Sequence, residues 1–357
     1  MHILSAASAF PEHYYTQRQL IDAFLTYWGP LVAESGQDAR KLELFHHNVG
    51  VDGRYLARPI EQYLNLGFGA ANDIWIETAR RLGAQAVSTA LTRAGIRPDQ
   101  PGAIIFVSVT GVSSPSIDAL LVNTLGLSPH IRRTPVFGLG CVAGAAGIAQ
   151  ASDYVRAWPN RIAALVSVEL CSLTLQRDDT SVAHLISSGL FGDGAAAVII
   201  GGSETKLGSS ETPGPQIIAT KSSFYYDTHR VMGWDISERG FNIVLSPEVP
   251  AVIRENLRRD ADAFLAEHGL TRNDIGCWLM HTGGPKVLEA TEEALEIPRE
   301  AIQVSWDCLR RVGNLSSASV LMVLEEVMLN RRAAPGTWSV LAAMGPGFCA
   351  ELVLLRW

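Results

Sequence analysis

Charge is scarce in this chain and neither sign dominates it. Of 357 residues 18% are charged, with 29 Lys and Arg against 36 Asp and Glu, for a formal net charge of -7. That balance excludes the basic surface a nucleic-acid partner requires. A phosphate-bearing substrate needs only a local basic patch, which net charge leaves open. Basic pairs such as Arg132-Arg133 and Arg331-Arg332 read as solvated helix ends. Cysteine is also short: Cys141, Cys171, Cys277, Cys308 and Cys349 are odd in number and contain no C-x-x-C. Neither a disulfide framework nor a zinc site is expected. The adjacent His46-His47 point in different helix directions and lack ligand spacing, so they read as surface or packing residues. No apolar run reaches the roughly 18 residues that span a membrane. Met1 to Ala7 lacks the basic flank and long apolar core of a signal peptide and reads as a strand. The expectation is a soluble, reduced, cytoplasmic protein with no metal.

What the chain does have is apolar residues, 47% of the total, enough for one large domain or two similar ones. Thr16 to Glu34 carries a helical rhythm through Leu20, Ala23, Phe24, Trp28 and Leu31, with Thr16 as N-cap. Asn72 to Ala94 reads as a long helix, Ala103 to Val109 as a buried strand and Ile117 to Leu125 as a short helix. Ile162 to Val168 is a second buried strand, ending in Glu169. Continuous apolar strands alternating with helices predict an α/β fold on a parallel or mixed sheet. Gly201 to Pro215 crowds Gly, Ser, Thr and Pro together and reads as a seam. It divides the chain into halves at 1–205 and 206–357. Beyond it, Gln216 to Ala219 reads as a strand with a hairpin partner at Phe241 to Leu245, and Val249 to His268 as a helix. Ile275 to Met280 reads as a buried strand delivering His281, Ile302 to Trp306 as a strand, and Val340 to Leu355 as a closing hairpin.

The chemistry centres on Thr134 to Ile148, a short apolar strand, a glycine-bracketed turn and a helix of small residues, with Cys141 at the joint. Unpaired N–H groups and the positive end of the helix dipole predict a lowered thiol pKa there. Against this stands the ordinary use of free cysteine as a small buried hydrophobe. Gly138-Leu139-Gly140-Cys141-Val142-Ala143 also satisfies the G-x-G-x-x-G/A dinucleotide fingerprint. That fingerprint normally opens the first strand-helix unit of a domain, and here more than a third of the chain precedes it.

His281 stands at a strand's carboxyl end, where chemistry in α/β sheets collects. Asn314 stands at the start of a helix running through Val327, where an N-cap is its commonest use. Cysteine, histidine and asparagine together form a plausible nucleophile, base and orienting amide. Such a set suits a papain-like hydrolase or an acyl-transferring condensing enzyme. Asparagine donates to an oxyanion without ever titrating. Phe191, between glycines and beside Asp193, is positioned to face a cavity.

The cysteine stretch, Leu190-Phe191-Gly192-Asp193-Gly194, His281 before Gly283-Gly284-Pro285, Gly313-Asn314-Leu315-Ser316-Ser317-Ala318 and Gly345-Pro346-Gly347 strongly resemble the type III polyketide synthases of the chalcone synthase superfamily. The resemblance covers nearly the whole chain, in order. It implies a thiolase-type layered αβαβα fold with two pseudo-duplicated halves, as a homodimer. It implies Cys141 as acyl-carrying nucleophile, with His281 and Asn314 polarising malonyl-CoA and stabilising the enolate left by decarboxylation. Phe191 becomes a gatekeeper between a coenzyme A tunnel and a cavity. Substrates are acyl-CoA and malonyl-CoA, with no metal or redox cofactor.

Departures from the plant members carry the substrate expectations. Ile243 stands for a second gatekeeping phenylalanine and Trp234 for a glycine. Ser114, in Ser114-Pro115, stands for a methionine that crosses the dimer interface. Cys171 replaces a cavity threonine, Thr174 retains one, Met344 joins the pocket, and Arg54 is the candidate for coenzyme A binding. Met232 to Ile236 with Gly240 to Ser246 looks most like bacterial alkylpyrone and alkylresorcinol synthases, which use fatty acyl-CoA. The alternatives are a malonyl-CoA-only synthase of the tetrahydroxynaphthalene type, a single-condensation ketoacyl synthase III-like enzyme, and a non-catalytic acyl-CoA-binding thiolase-fold partner. Starter length, extension number and cyclisation mode are not encoded in any motif.

Overall fold

A computed structural model describes residues 1–30, 39–205, 214–330 and 333–357. The end of the expected Thr16 to Glu34 helix, the middle of the 201–215 seam and the Arg331-Arg332 pair lie outside these residues.

The first half contains β1 (His2–Ala9), β2 (His13–Thr16), α1 (Gln17–Tyr27), α2 (Ala39–Asn48), β3 (Gly53–Leu56), α3 (Phe68–Ala94), β4 (Ala103–Val107), α4 (Ile117–Leu125), β5 (Arg132–Val136), α5 (Ala143–Ala157), β6 (Ile162–Leu170), α6 (Val182–Leu190) and β7 (Asp193–Gly201). The second contains β8 (Gln216–Phe224), β9 (Met232–Ser237), β10 (Gly240–Leu245), α7 (Val249–Ala266), β11 (Ile275–Met280), α8 (Pro285–Leu295), α9 (Gln303–Val312), α10 (Ala318–Asn330), β12 (Trp338–Gly345) and β13 (Cys349–Arg356). Helix ends follow local chemistry. Thr16 and Gln19 form a capping box at α1. Gly95 and Gly126, at φ of 66° and 63°, close α3 and α4 with left-handed residues.

The main sheet runs β11-β12-β13-β8-β1-β7-β6-β4-β5, its halves joined at β1 and β8 through the single register pair His2–Gln216. Strand β4 shows why its sequence is continuously apolar. Ile104 and Phe106 pack with α3 residues in one core, while Ile105 and Val107 pack with α5 and α10 residues in another. A strand covered on both faces has no polar side to show. The second core holds Ile148 of α5 and Leu321 of α10 between Leu165 and Val198 of the first half and Leu341 and Val353 of the second. Helices α7 and α8 cover the far face of the second half, with Ile253, Leu257 and Leu288 packed in one core with Trp278 of β11. The layers are therefore α, β, α, β, α, with α5 and α10 in the middle.

The two central helices meet at a glycine: a Cβ on Gly144 would stand 2.3 Å from the Ser317 carbonyl oxygen. Any larger residue there would push apart the segments that carry Cys141 and Asn314.

Two expectations are corrected. Ile302 to Trp306 is not a strand: Arg299–Ile302 is a 3₁₀ turn that passes into α9. The alternation of Ile302, Val304 and Trp306 is short, and the stripe of Val304, Cys308, Leu309 and Val312 that follows has helical period and buries as one face. The duplication is thus incomplete, since no strand stands before Asn314 as β5 stands before Cys141. Phe241 to Leu245 pairs with β9 in a separate two-stranded ribbon, while β8 extends to Phe224 and pairs with β13.

Candidate active site

Cys141 sits in a 3₁₀ turn, Gly140–Val142, that opens into α5. Gly140 has φ of 56°, and a Cβ on it would meet Pro346 Cδ at 2.5 Å. A Cβ on Gly345 would come within 2.7 Å of the Val142 amide nitrogen. The Gly345-Pro346-Gly347 loop is therefore the seat on which the cysteine turn rests. The thiol donates to Ser316 Oγ at 3.6 Å. Its pKa is not lowered as the sequence led us to expect. Burial pushes it up to about 12, the nearby Glu169 adds to the rise, and the Ser316 bond opposes it. Desolvation of the anion outweighs the helix end.

The resting thiol is accordingly neutral. Alkylation of Cys141 by iodoacetamide, followed on its own peptide by mass spectrometry, should be slow at pH 7 and rise about tenfold per pH unit up to pH 10. A plateau reached by pH 8 would show that the thiolate exists at rest.

His281 follows the last residue of β11, its N–H donating to the Ala342 carbonyl of β12 at 2.9 Å. That strand ends in the Gly345 that packs against the cysteine turn. The ring is buried, Nδ1 has no partner, and burial lowers the pKa to about 4. At neutral pH the imidazole is uncharged and free to accept a proton.

Asn314 precedes α10 by four residues and does not cap it as the sequence suggested. Its Oδ1 accepts from Ser316 N–H at 2.8 Å and Ser319 Oγ at 3.3 Å. The amide is thereby oriented with Nδ2 left to donate. Ser316 touches both Cys141 and Asn314 and so couples them. Main-chain bonds from Asn314 N–H to Leu190 O and from Gly192 N–H to Asn314 O, each 3.0 Å, tie this loop to Phe191 in a parallel bridge.

Sequence reasoning missed Glu169. It is fully buried beside the cysteine and accepts from Ser108 Oγ, the Val109 N–H, Thr110 Oγ1 and Ser317 Oγ. Burial raises its pKa and these donors oppose the rise. The signal available was a carboxylate closing an otherwise apolar strand, a residue type almost never fully buried without partners.

Phe191, Cys171, Thr174, Trp234, Ile243 and Arg54 line one chamber together with Leu20, Phe24, Trp28 and Tyr63. Cys141, His281 and Asn314 are absent from its lining, and Phe191 connects the two through its bridge to Asn314. Trp234 and Ile243 are direct cross-strand partners on the ribbon, which puts both on its chamber face. Cys171 and Thr174 share a 3₁₀ turn after β6, where Thr174 Oγ1 donates to the Cys171 carbonyl. Burial raises the Cys171 thiol pKa far above the usual range.

Three expected residues fall elsewhere or act otherwise. Ser114 lines a separate open depression with Trp75, Pro115, Arg133 and Phe137. Met344 is packed in the core beside Trp278 and Val340, because β12 turns it toward α7 and α8. Arg54 is not a surface cation for coenzyme A. It is 2% exposed, and its Nη1 donates to the carbonyls of Ser188 at 2.5 Å and Phe191 at 2.9 Å. Burial lowers its pKa to about 10, with Asp193 opposing, so it remains cationic at neutral pH. Among the described residues no group of His, Cys, Asp and Glu could hold a metal ion, and no helix is long and apolar enough to cross a membrane.

Known proteins resemble this arrangement along its whole length. Residues 1–204 match the N-terminal domain of the chalcone and stilbene synthases, and residues 216–357 match their C-terminal domain. The chain is 47% identical to a 1,3,6,8-tetrahydroxynaphthalene synthase of Streptomyces peucetius subsp. caesius, over 99% of this chain and 93% of that one. It is 33% identical to a putative chalcone synthase of Bacillus subtilis (strain 168), over 99% and 98% of the two chains. The crystal structure of 1,3,6,8-tetrahydroxynaphthalene synthase from Streptomyces coelicolor A3(2) superposes with a TM-score of 0.92 at 29% identity, covering 100% of this chain and 99% of that one. With its thiolase-like layers and these relatives, the chain belongs to the chalcone and stilbene synthase family and is a Claisen-condensing type III polyketide synthase.

Proposed function

We propose that this enzyme builds an aromatic polyketide from malonyl-CoA alone, with Cys141, His281 and Asn314 as its catalytic residues. Cys141 Sγ attacks a thioester carbonyl, its proton passes to His281, and coenzyme A leaves as the thiol. Malonyl-CoA then loses CO2, and the electron pair of the broken C–C bond moves onto the thioester oxygen. Asn314 Nδ2 and the imidazole N–H donate to that enolate oxygen. The enolate carbon attacks the Cys141 thioester, a C–C bond forms, and the cysteine sulfur is released. Only coenzyme A thioesters enter this scheme. A neutral thiol and a neutral imidazole suit it, because the proton then moves only when substrate is present.

The observation that carries the product class is the chamber. Its lining includes the polar groups of Arg54, Ser172, Thr174 and Ser188 together with Trp234. A poly-β-keto chain carries an oxygen on every second carbon and can use such groups, whereas an alkyl chain cannot. The 47% identical relative supports the same product class. A long-chain acyl starter remains the second reading, favoured by the apolar Leu20, Phe24 and Trp28 of the α1 side. Incubation of purified enzyme with malonyl-CoA alone, and with a ladder of acyl-CoAs, decides between them by product mass. We expect a naphthalene-class product from malonyl-CoA alone; product formed only after a long acyl-CoA is added would overturn the reading.

The resemblance further suggests a cytoplasmic homodimer. Among the described residues no disulfide joins the five cysteines, which suits a reducing compartment. The open depression at Ser114-Pro115 and Phe137 is the face on which a second copy would sit.

A further inference from the structure

We propose that Arg54, standing in the chamber wall, anchors the β-diketone oxygens of the growing chain and thereby selects for full-length product. This rests on the polyketide reading above. Arg54 is the one arginine or lysine lining the chamber among the described residues. Its stem is gripped by glycines: a Cβ on Gly313 would lie 3.3 Å from both Arg54 Cγ and Cδ, and one on Gly192 3.5 Å from Cβ. Its Nη1 is committed to the Ser188 and Phe191 carbonyls. Nε is buried and has no partner. Asp193, the nearest acid acting on it, spends its oxygens on the Ala57 N–H and on the N–H and hydroxyl of Ser172. Among the described residues no ion pair closes on Arg54, so the Nε–Nη2 edge of the guanidinium is unspent.

A desolvated cation with an unspent two-point edge calls for an acceptor with two oxygens in one plane. A 1,3-diketone, or its enolate, presents that pair, as a carboxylate does. An acetyl group or an alkyl chain does not. The anchor therefore gains full hold only after the second extension, when the chain carries two ketone oxygens in 1,3 relation. From then on it holds the chain inside, next to the gate whose carbonyl it also braces.

Arg54→Lys keeps the charge and removes the planar fork. The ratio of full-length to truncated product from malonyl-CoA should fall on the order of tenfold, the worth of one charged hydrogen bond. A residue that only braced the loop would lower all products in proportion. An unchanged ratio therefore overturns the proposal. Loss of CO2 release by the unmutated enzyme would instead strike the polyketide reading itself. Because Arg54 is buried and its variant can fail to fold, a second measurement uses the unmutated enzyme with acetylacetone as probe. Its enolate absorbance, titrated in excess protein, should move at least one pH unit lower than in buffer. Identical titrations overturn the proposal without any variant.

Discussion

Cys141→Ala should abolish polyketide formation while leaving malonyl-CoA decarboxylation measurable. In the proposed mechanism the two outcomes separate because the thiol carries the acyl group and takes no part in enolate formation. Thiol chemistry depends on Sγ, in the turn seated on Gly345-Pro346-Gly347 and bonded to Ser316. Enolate formation is assigned in the proposed mechanism to Asn314, held by Ser316 N–H and Ser319, and to His281, held by β12. Alanine fills the cysteine position without crowding, so the loop should stand. Product from radiolabelled malonyl-CoA should drop by roughly 10⁴-fold to 10⁶-fold, the cost of deleting a covalent nucleophile. Acetyl-CoA should still accumulate. Undiminished product would remove Cys141 from the mechanism, and loss of both activities would mean that the two steps are not separable.

Asn314→Asp should also be damaging, and for a different reason. The substitution is isosteric and retains an oxygen where Ser316 N–H and Ser319 Oγ donate. It exchanges the Nδ2 donor for a carboxylate oxygen at the point where enolate charge develops. Removing such a donor costs about 10²-fold to 10³-fold, and adding a like charge increases the loss. Decarboxylation should fall by at least that factor, while Cys141 alkylation above pH 9 should continue. Some activity should return at low pH, where the new carboxyl is protonated. The imidazole, with its pKa lowered to about 4, limits that return, since acid below this point charges His281 as well. An Asp variant that decarboxylates normally would show that Asn314 serves the loop and not the enolate.

These residues also mark how far the sequence could be read. The layered fold was legible because β4 is apolar along its whole length and β6 and β7 along most of theirs, and because helices such as α1, α3 and α4 end in clear caps. Cys141, His281 and Asn314 were legible as candidates because a glycine lies within two residues of each: Gly140, Gly283 and Gly313. The cysteine's proton state was not. A local rule about helix ends carries no information on burial, and burial decided the matter. Glu169 escaped notice because its four donors come from two segments far from it in the chain, Ser108-Val109-Thr110 and Ser317. Arg54 was misjudged in the same way, since a lone arginine in sequence looks like a surface charge. The carbonyls that enclose it belong to residues more than 130 positions away. The false strand at Ile302 reflects a window too short to tell a period of two from one of 3.6.

The bridge between Phe191 and Asn314 is made wholly of main-chain atoms. The proposed gate is fastened to the Asn314 loop by its backbone, while Phe191 also lines the chamber. Any residue with the same extended backbone could stand at 191 without disturbing the amide at 314. The same division holds on the ribbon, where Trp234 and Ile243 pair through backbone bonds indifferent to their side chains. Such a scaffold lets its repertoire diverge by point changes. Descendants of one gene could inherit an unaltered carbon–carbon bond-forming engine and differ only in the mould into which the chain is cast.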